Sequence, residues 1–155
     1  MKNRWFVIIC IFFFISCDKS RVFDKNLEIA NAEWYYNQPK IFNVTVLDTA
    51  STYNMFVNVR HTDAYGFNNL LVKVKTIFPD STIQHDNVNV VLAENNGRWT
   101  GNCIDGVCYN TVLVRTAFTF PEAGTYTFAI EQDMRQNPVT EIMDVGIRIE
   151  KFAMP

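Results

Sequence analysis

Glycine and proline are scarce in this chain, with six and five among 155 residues. The glycines are scattered, so no Gly-rich loop cradles a phosphate, and no Gly-x-Ser-x-Gly elbow presents a nucleophile. Charge is equally thin: 14 Lys and Arg against 16 Asp and Glu leave a net of −2, with no clustered cationic surplus for nucleic acid. Histidine occurs twice, at His61 and His85, far from Cys103 and Cys108, and no second cysteine pair completes a structural zinc site. Beyond the N-terminal segment no twelve-residue window keeps a helical period; Thr140 to Asp144 is expected to form at most one helical turn. What remains is apolar and aromatic. Hydrophobic residues make up 48% and aromatic residues 14%, enough for the core of one ordinary domain and too much for wholesale disorder.

The longest apolar run is short. Lys2 and Arg4 precede Trp5 to Ile15, eleven unbroken apolar residues, followed by Ser16 and Cys17. As a helix this run reaches roughly 16 Å, about half of a hydrocarbon core, so it fits a secretory signal rather than a normal transmembrane span. Phe14-Ile15-Ser16-Cys17 looks like a bacterial lipobox, in which the Cys17 thiol receives diacylglycerol before cleavage ahead of it. The competing reading is a plain signal peptide or short uncleaved anchor with Cys17 incidental. Cleavage before Cys17 leaves 139 residues with 12 basic and 16 acidic side chains, a net of −4. The expected organisation is therefore signal peptide 1–16, lipidated N-terminus and charged tether 17–28, and folded domain 29–155. Cys10 leaves with the signal, and Cys103 and Cys108 remain, spaced C-x4-C about a Gly-containing turn. In an oxidising periplasm a disulfide between them is favoured over free thiols or metal.

After residue 28 the period is two. Phe42, Val44 and Val46 alternate with polar neighbours, as do Tyr53, Met55, Val57 and Val59. The same pattern runs through Leu70–Val74, Val88–Leu92, Val112–Val114, Tyr126–Ile130 and Val145–Ile149. Turn residues separate these runs: Phe78-Pro79-Asp80-Ser81, Asn95-Asn96-Gly97, Asp105-Gly106, Pro121 to Gly124 and Asn137-Pro138. Seven or eight short strands, each with one wet and one buried face, predict an all-β protein: an antiparallel β-sandwich in jelly-roll order.

Catalytic equipment is not visible. His61 and His85 read as surface residues, and Asp86, Glu94, Asp105 and Glu131 cannot be ranked as paired carboxylates without a fold. No dense Asp-x-Asp-x-Asp-Gly loop supports a calcium site, so no enzyme activity, metal or cofactor is expected. Trp34, Tyr35, Tyr36, Tyr65 and Trp99 could stack on sugar rings, but the favoured reading is that such aromatics are plugs, with Trp99, between Gly97 and Gly101, closing the end of the sandwich.

Several segments together resemble the gliding-motility lipoprotein GldH family of the Bacteroidetes. The residues carrying the resemblance begin with Cys17-Asp18, Trp34, Tyr53-Asn54, Arg60, Tyr65, Asn69-Leu70 and Leu92-Ala93-Glu94. Gly97-Arg98-Trp99-Thr100-Gly101 follows, then Phe120-Pro121, Gly124, Tyr126, Phe128, Ile130, Gln132 and Met134-Arg135, and finally Asp144 to Glu150. Gln132-Asp133-Met134-Arg135 and Asp144-Val145-Gly146 are the more specific pieces. The resemblance covers essentially the whole mature chain, while the Cys103–Cys108 pair falls outside it. It implies a non-catalytic envelope lipoprotein that supports gliding or type IX secretion as an assembly or stabilising factor. Its partners would be the bilayer, through acylated Cys17, and envelope proteins of that machinery, on the periplasmic side of the outer membrane. The rival function is a surface glycan-binding lipoprotein of a nutrient-uptake system. Tyr65, Asn69, Trp99, Gln132 and Arg135 are the candidate partner-facing set at one end of the sandwich.

Overall fold

The computed structural model describes residues 20–152; the expected signal, Cys17 and its lipid site lie outside the described residues. The strands are β1 (Arg21–Glu28), β2 (Glu33–Trp34), β3 (Lys40–Val46), β4 (Tyr53–Thr62), β5 (Asn69–Ile77) and β6 (Ile83–Val91), with a 3-10 turn at Ala30–Ala32. They continue as β7 (Asn102–Ile104), β8 (Val107–Phe118), β9 (Gly124–Gln132), β10 (Val139–Thr140) and β11 (Ile142–Lys151). Among the described residues no helix is long and apolar enough to cross a membrane.

Two sheets carry the fold, in the orders β1-β11-β4-β8-β7 and β3-β9-β5-β6, and β2 pairs separately with β10. The pairs β1·β11, β3·β9, β4·β8 and β5·β6 are all antiparallel and nest from the outer ends of the chain to its middle. That is a long hairpin rolled on itself, with β11·β4 and β9·β5 joining its limbs into sheets: the expected jelly-roll sandwich.

Register explains the core. On one inner face Val145, Val59 and Asn110 form a cross-strand row, and Ile147, Val57 and Val112 form the next. Opposite them Phe42 pairs with Phe128 and Val44 with Tyr126, while Ile130 pairs with Val74 and Gln132 with Val72. All but Val112 are buried, and the apolar ones join Trp34, Leu70, Val90 and Leu92 in one hydrophobic cluster, with Asn110 and Gln132 as buried polar residues. Sides of this size contribute roughly 2 kcal/mol each when removed from water. The Asp105-Gly106 turn has both residues at positive φ, 48° and 79°, between paired Ile104 and Val107, which is the two-residue turn that matches hairpin twist.

Two expectations change. The segment read as a tether supplies an eight-residue edge strand: Phe23, Lys25 and Leu27 pair with Ile149, Ile147 and Val145. Its charges obscured it, because an edge strand is exposed along one side and tolerates Lys25 among apolar neighbours. The turn expected over Thr140 to Asp144 is extended instead. Val139–Thr140 pair with Trp34 and Glu33, Glu141 adopts φ 70°, and β11 follows at once.

Candidate functional site

The loops after β4, β6 and β9 gather at one end of the sandwich, with the β7–β8 hairpin beside them. At its centre lies His61, fully buried on β4. Its Nδ1 lies 2.7 Å from the Thr62 carbonyl and its Nε2 3.2 Å from Asn110 Oδ1. Asn110 Nδ2 in turn donates to Thr100 Oγ1 at 3.0 Å and to the Leu92 carbonyl at 3.3 Å. Trp99 presents its ring edge-on to His61 at 4.5 Å, and Tyr65 stands 5.6 Å away on another side. The Tyr65 hydroxyl donates to the Asn69 carbonyl at 2.9 Å, and burial pushes its pKa up. Trp99 is therefore a plug, and His61 is a core residue rather than the surface residue expected of it.

A second knot forms around Gln132. Its Oε1 accepts the Met134 amide at 2.8 Å and its Nε2 faces the Trp34 and Gln136 carbonyls and Asn137. The Tyr36 hydroxyl donates to the Met134 carbonyl, and the Tyr36 amide donates to Asn137 Oδ1 at 2.8 Å. These bonds fix the turn that contains the cis Asn137-Pro138 peptide.

The proposed partner-facing set is thus divided. Tyr65 and Gln132 are buried, Asn69 is half-buried with its Nδ2 donating to Asn89, and Trp99 is half-buried against the core. Arg135 alone is exposed. Asp133 pairs with Lys73 and Asp144 with Arg60, so neither acid holds it. Also exposed near this end are Tyr35, Tyr36, Phe67 and Arg98, of which Phe67 gave no sequence signal. Of the sugar-stacking candidates, Trp34 is fully buried with Nε1 donating to the Gln38 carbonyl, Tyr65 is buried and Trp99 is packed against the core, while Tyr35 and Tyr36 are exposed.

The carboxylates that could not be ranked occupy separate roles. Glu94 sits in a salt bridge with Arg98, which lowers its pKa, and Asp105 occupies the hairpin turn. Glu131 accepts the Asn37 amide. Asp86 occupies an inner-face position on β6 and accepts both hydrogen bonds of Gln84 Nε2, at 2.9 and 3.1 Å. With Met55, Val74, Val114, Arg115 and Phe128 it lines a cleft of about 330 Å³ between the unpaired edges of β6 and β8. Among the described residues no three His, Cys, Asp or Glu side chains converge as metal ligands. Cys103 and Cys108 face each other across the β7–β8 hairpin, bonded through sulfur with Cα atoms 4.0 Å apart.

The outer face of the five-stranded sheet carries a buried polar patch. Asn58 Nδ2 donates to Asp24 at 3.0 Å and Asn26 at 3.1 Å, and Thr111 donates to Asn58 at 3.0 Å. Asn26 donates to Asp144 at 3.0 Å, and Arg60 pairs with the same carboxylate. Burial raises the Asp144 pKa in spite of that guanidinium.

The described residues define an antiparallel jelly-roll sandwich with one loop end packed around His61, Tyr65 and Trp99. The sequence places it more narrowly. The family model of the GldH lipoprotein matches residues 21–149. The chain is 31% identical to the gliding motility lipoprotein GldH homolog of Christiangramia forsetii, across 97% of this chain and 98% of that protein. It is likewise 31% identical to the gliding motility lipoprotein GldH of Flavobacterium johnsoniae, with the same shares covered. The chain belongs to the GldH lipoprotein family.

Proposed function

We propose that this protein is a lipid-anchored gliding-motility lipoprotein, acting without catalysis as an assembly or stabilising factor of the gliding and type IX secretion machinery. One observation carries the reading: relatedness to two gliding-motility lipoproteins runs through 97% of the chain, including the N-terminal lipobox-like segment. The packed sandwich supports it, since its buried polar groups hold loops and strands together. Acylation at Cys17 supplies the anchor, and two acyl chains at ~0.8 kcal/mol per buried methylene make that anchoring stable. The periplasmic side of the outer membrane is the proposed residence.

Deletion of the gene, complemented with wild type or with Cys17→Ser, tests this. Wild type is expected to restore colony spreading and type IX cargo release and to incorporate labelled palmitate. Cys17→Ser is expected to lose the label and leave the membrane fraction. Normal spreading and cargo release in the deletion strain would overturn the functional reading; labelled Cys17→Ser would overturn the anchor.

A further inference from the structure

Along one side of the sandwich the two sheets end without meeting. β6 closes the four-stranded sheet, and β7 covers the outer edge of β8 only over Val107–Tyr109. Val88 on β6 and Val112, Val114 and Phe118 on β8 pack against the core, yet they stay half-buried because nothing bridges the gap. Two hollows open between these lips, of about 330 and 290 Å³, and they share Met55, Thr76, Gln84, Arg115 and Phe128. The first is the cleft that Asp86 lines. The second continues it among Phe118, Phe120, Tyr126 and Phe78, whose ring centres follow one another at 5.1, 4.7 and 5.5 Å. Together they make one slot that reaches the apolar core from the edge of the sandwich.

The lining selects an apolar ligand rather than an ion. It holds one acid and one base, Asp86 on the β6 lip and Arg115 on the β8 lip, and so has no net charge. Asp86 is bonded to Gln84, and the Arg115 guanidinium lies 4.9 Å from the centre of the Phe118 ring. An apolar interior with a few polar groups at its mouth is the usual build of a small-ligand site. From Gln84 to Val88 the slot runs four residues along β6, about 13 Å. One leaflet of hydrocarbon is about 15 Å deep.

Two observations name the occupant. A polypeptide strand fits poorly, because the β8 lip breaks beside the second hollow: its pairing with β4 shifts register between Leu113 and Phe118, and Ala117 adopts φ 48°. A strand inserted there would bury amides with no straight ladder to receive them, whereas an acyl chain has no such groups. Position supplies the second. Phe118 and Phe120 pack on Tyr53 at the end where β4 begins and β11 finishes, which is also the end from which β1 leads back through Asp18–Ser20 to Cys17. The exposed Leu47 belongs to the same end. We infer that the slot takes up one acyl chain of a membrane phospholipid, entering past Phe118 with its methyl terminus towards Val88 and Val114. The inference rests on the lipid anchor at Cys17 and not on the role in gliding.

The test reconstitutes the full-length lipidated protein in vesicles of phosphatidylcholine and phosphatidylethanolamine. A trace of phosphatidylcholine bears a diazirine at the end of one acyl chain; irradiation tags what that end touches, and peptide mass spectrometry locates the tag. Tags are expected on the peptides that contain Val88 and Val114. Val88→Trp and Val114→Trp, one on each lip, fill the slot and should each lower this tagging at least fivefold, with melting temperatures reporting that the fold is kept. Leu113→Trp, on the outer face of β8, should leave it unchanged. Tags confined to Leu47 and its loop, or absent altogether, would overturn the inference on the wild-type protein alone and leave the slot to a protein segment. Slot tags that persist at the wild-type level in both folded Trp variants would also overturn it. Tags that appear only after feeding cells diazirine-bearing palmitate would overturn it in favour of the chains on Cys17 itself. Palmitate labelling of Cys17 reports the anchor separately, so a failed slot and a failed anchor give different results.

Discussion

Gly146 sits mid-strand on β11, where alternation alone places an ordinary outward-facing residue. A Cβ there would lie 2.0 Å from Asn26 Oδ1 and 2.5 Å from the Lys25 carbonyl, so the strand beside it would have to move. The missing side chain is the space in which Asn26 reaches across to Asn58 and Asp144. Gly146→Ala is expected to cost about 2 kcal/mol, the scale of an overpacked core, read as a lower urea midpoint with an unchanged slope. Asp144 makes a second prediction at this scale. Burial raises its folded pKa above the unfolded value, so the folded state takes up the proton first and gains stability as pH falls through that raised pKa. Asp144→Asn cannot do this. The stability gap between wild type and variant should therefore widen in favour of wild type between pH 7 and about pH 4, measured by urea midpoints at both values. A gap that narrows on acidification would contradict the assignment. The Asp144-Val145-Gly146 triplet was legible as distinctive, but its role was not, because the partners Asn26 and Asn58 are distant in sequence.

The elements most visible in the sequence are those with one buried face. Tyr53-Met55-Val57-Val59 and Tyr126-Phe128-Ile130 announced β4 and β9 because the inner residues are apolar until His61 and Gln132 near the strand ends. β1 hid its pattern behind Lys25, and β2 and β10, two residues each, are too short to show a period. β6 misled differently, since Gln84 and Asp86 stand where core residues are expected and open the cleft beside β8. The site was less legible than the fold. Tyr65 and Gln132 carry partner-binding chemistry, yet loop closure buried both, and burial is set by tertiary packing that period-two patterning does not encode. Since β1 is integral, deleting residues 21–28 should leave β11 with an unpaired edge and the sandwich short of Phe23 and Leu27. Aggregation, or a loss of roughly 3 kcal/mol or more, is expected by light scattering and denaturant melts. Survival at wild-type stability would return the segment to the status of a tether. The disulfide is local by comparison. It closes a loop of sequence separation 5 at the edge of a sheet, so Cys103→Ser with Cys108→Ser should cost no more than about 2 kcal/mol. Amide exchange should accelerate over 102–107 and remain slow in β4 and β11.

At the scale of the whole molecule, the start of β1, the start of β4 and the ends of β8 and β11 share one end of the sandwich. Leu47, 83% exposed, follows β3 there, whereas Asn96 lies in the turn at the opposite end. With lipid on Cys17, a fluorophore on Leu47→Cys should be quenched by spin-labelled lipid and one on Asn96→Cys should not; equal quenching would mean the domain lies flat. Only three residues, Asp18 to Ser20, separate Cys17 from the first paired strand, a reach of about 10 Å. The ten-residue strands β4 and β11 add about 33 Å of height. A domain anchored in this way samples a layer about 45 Å deep against the membrane rather than the full volume of its compartment. In so thin a layer any second membrane-bound protein is met at high effective concentration, and a contact too weak to hold two free proteins together is enough to keep these two paired.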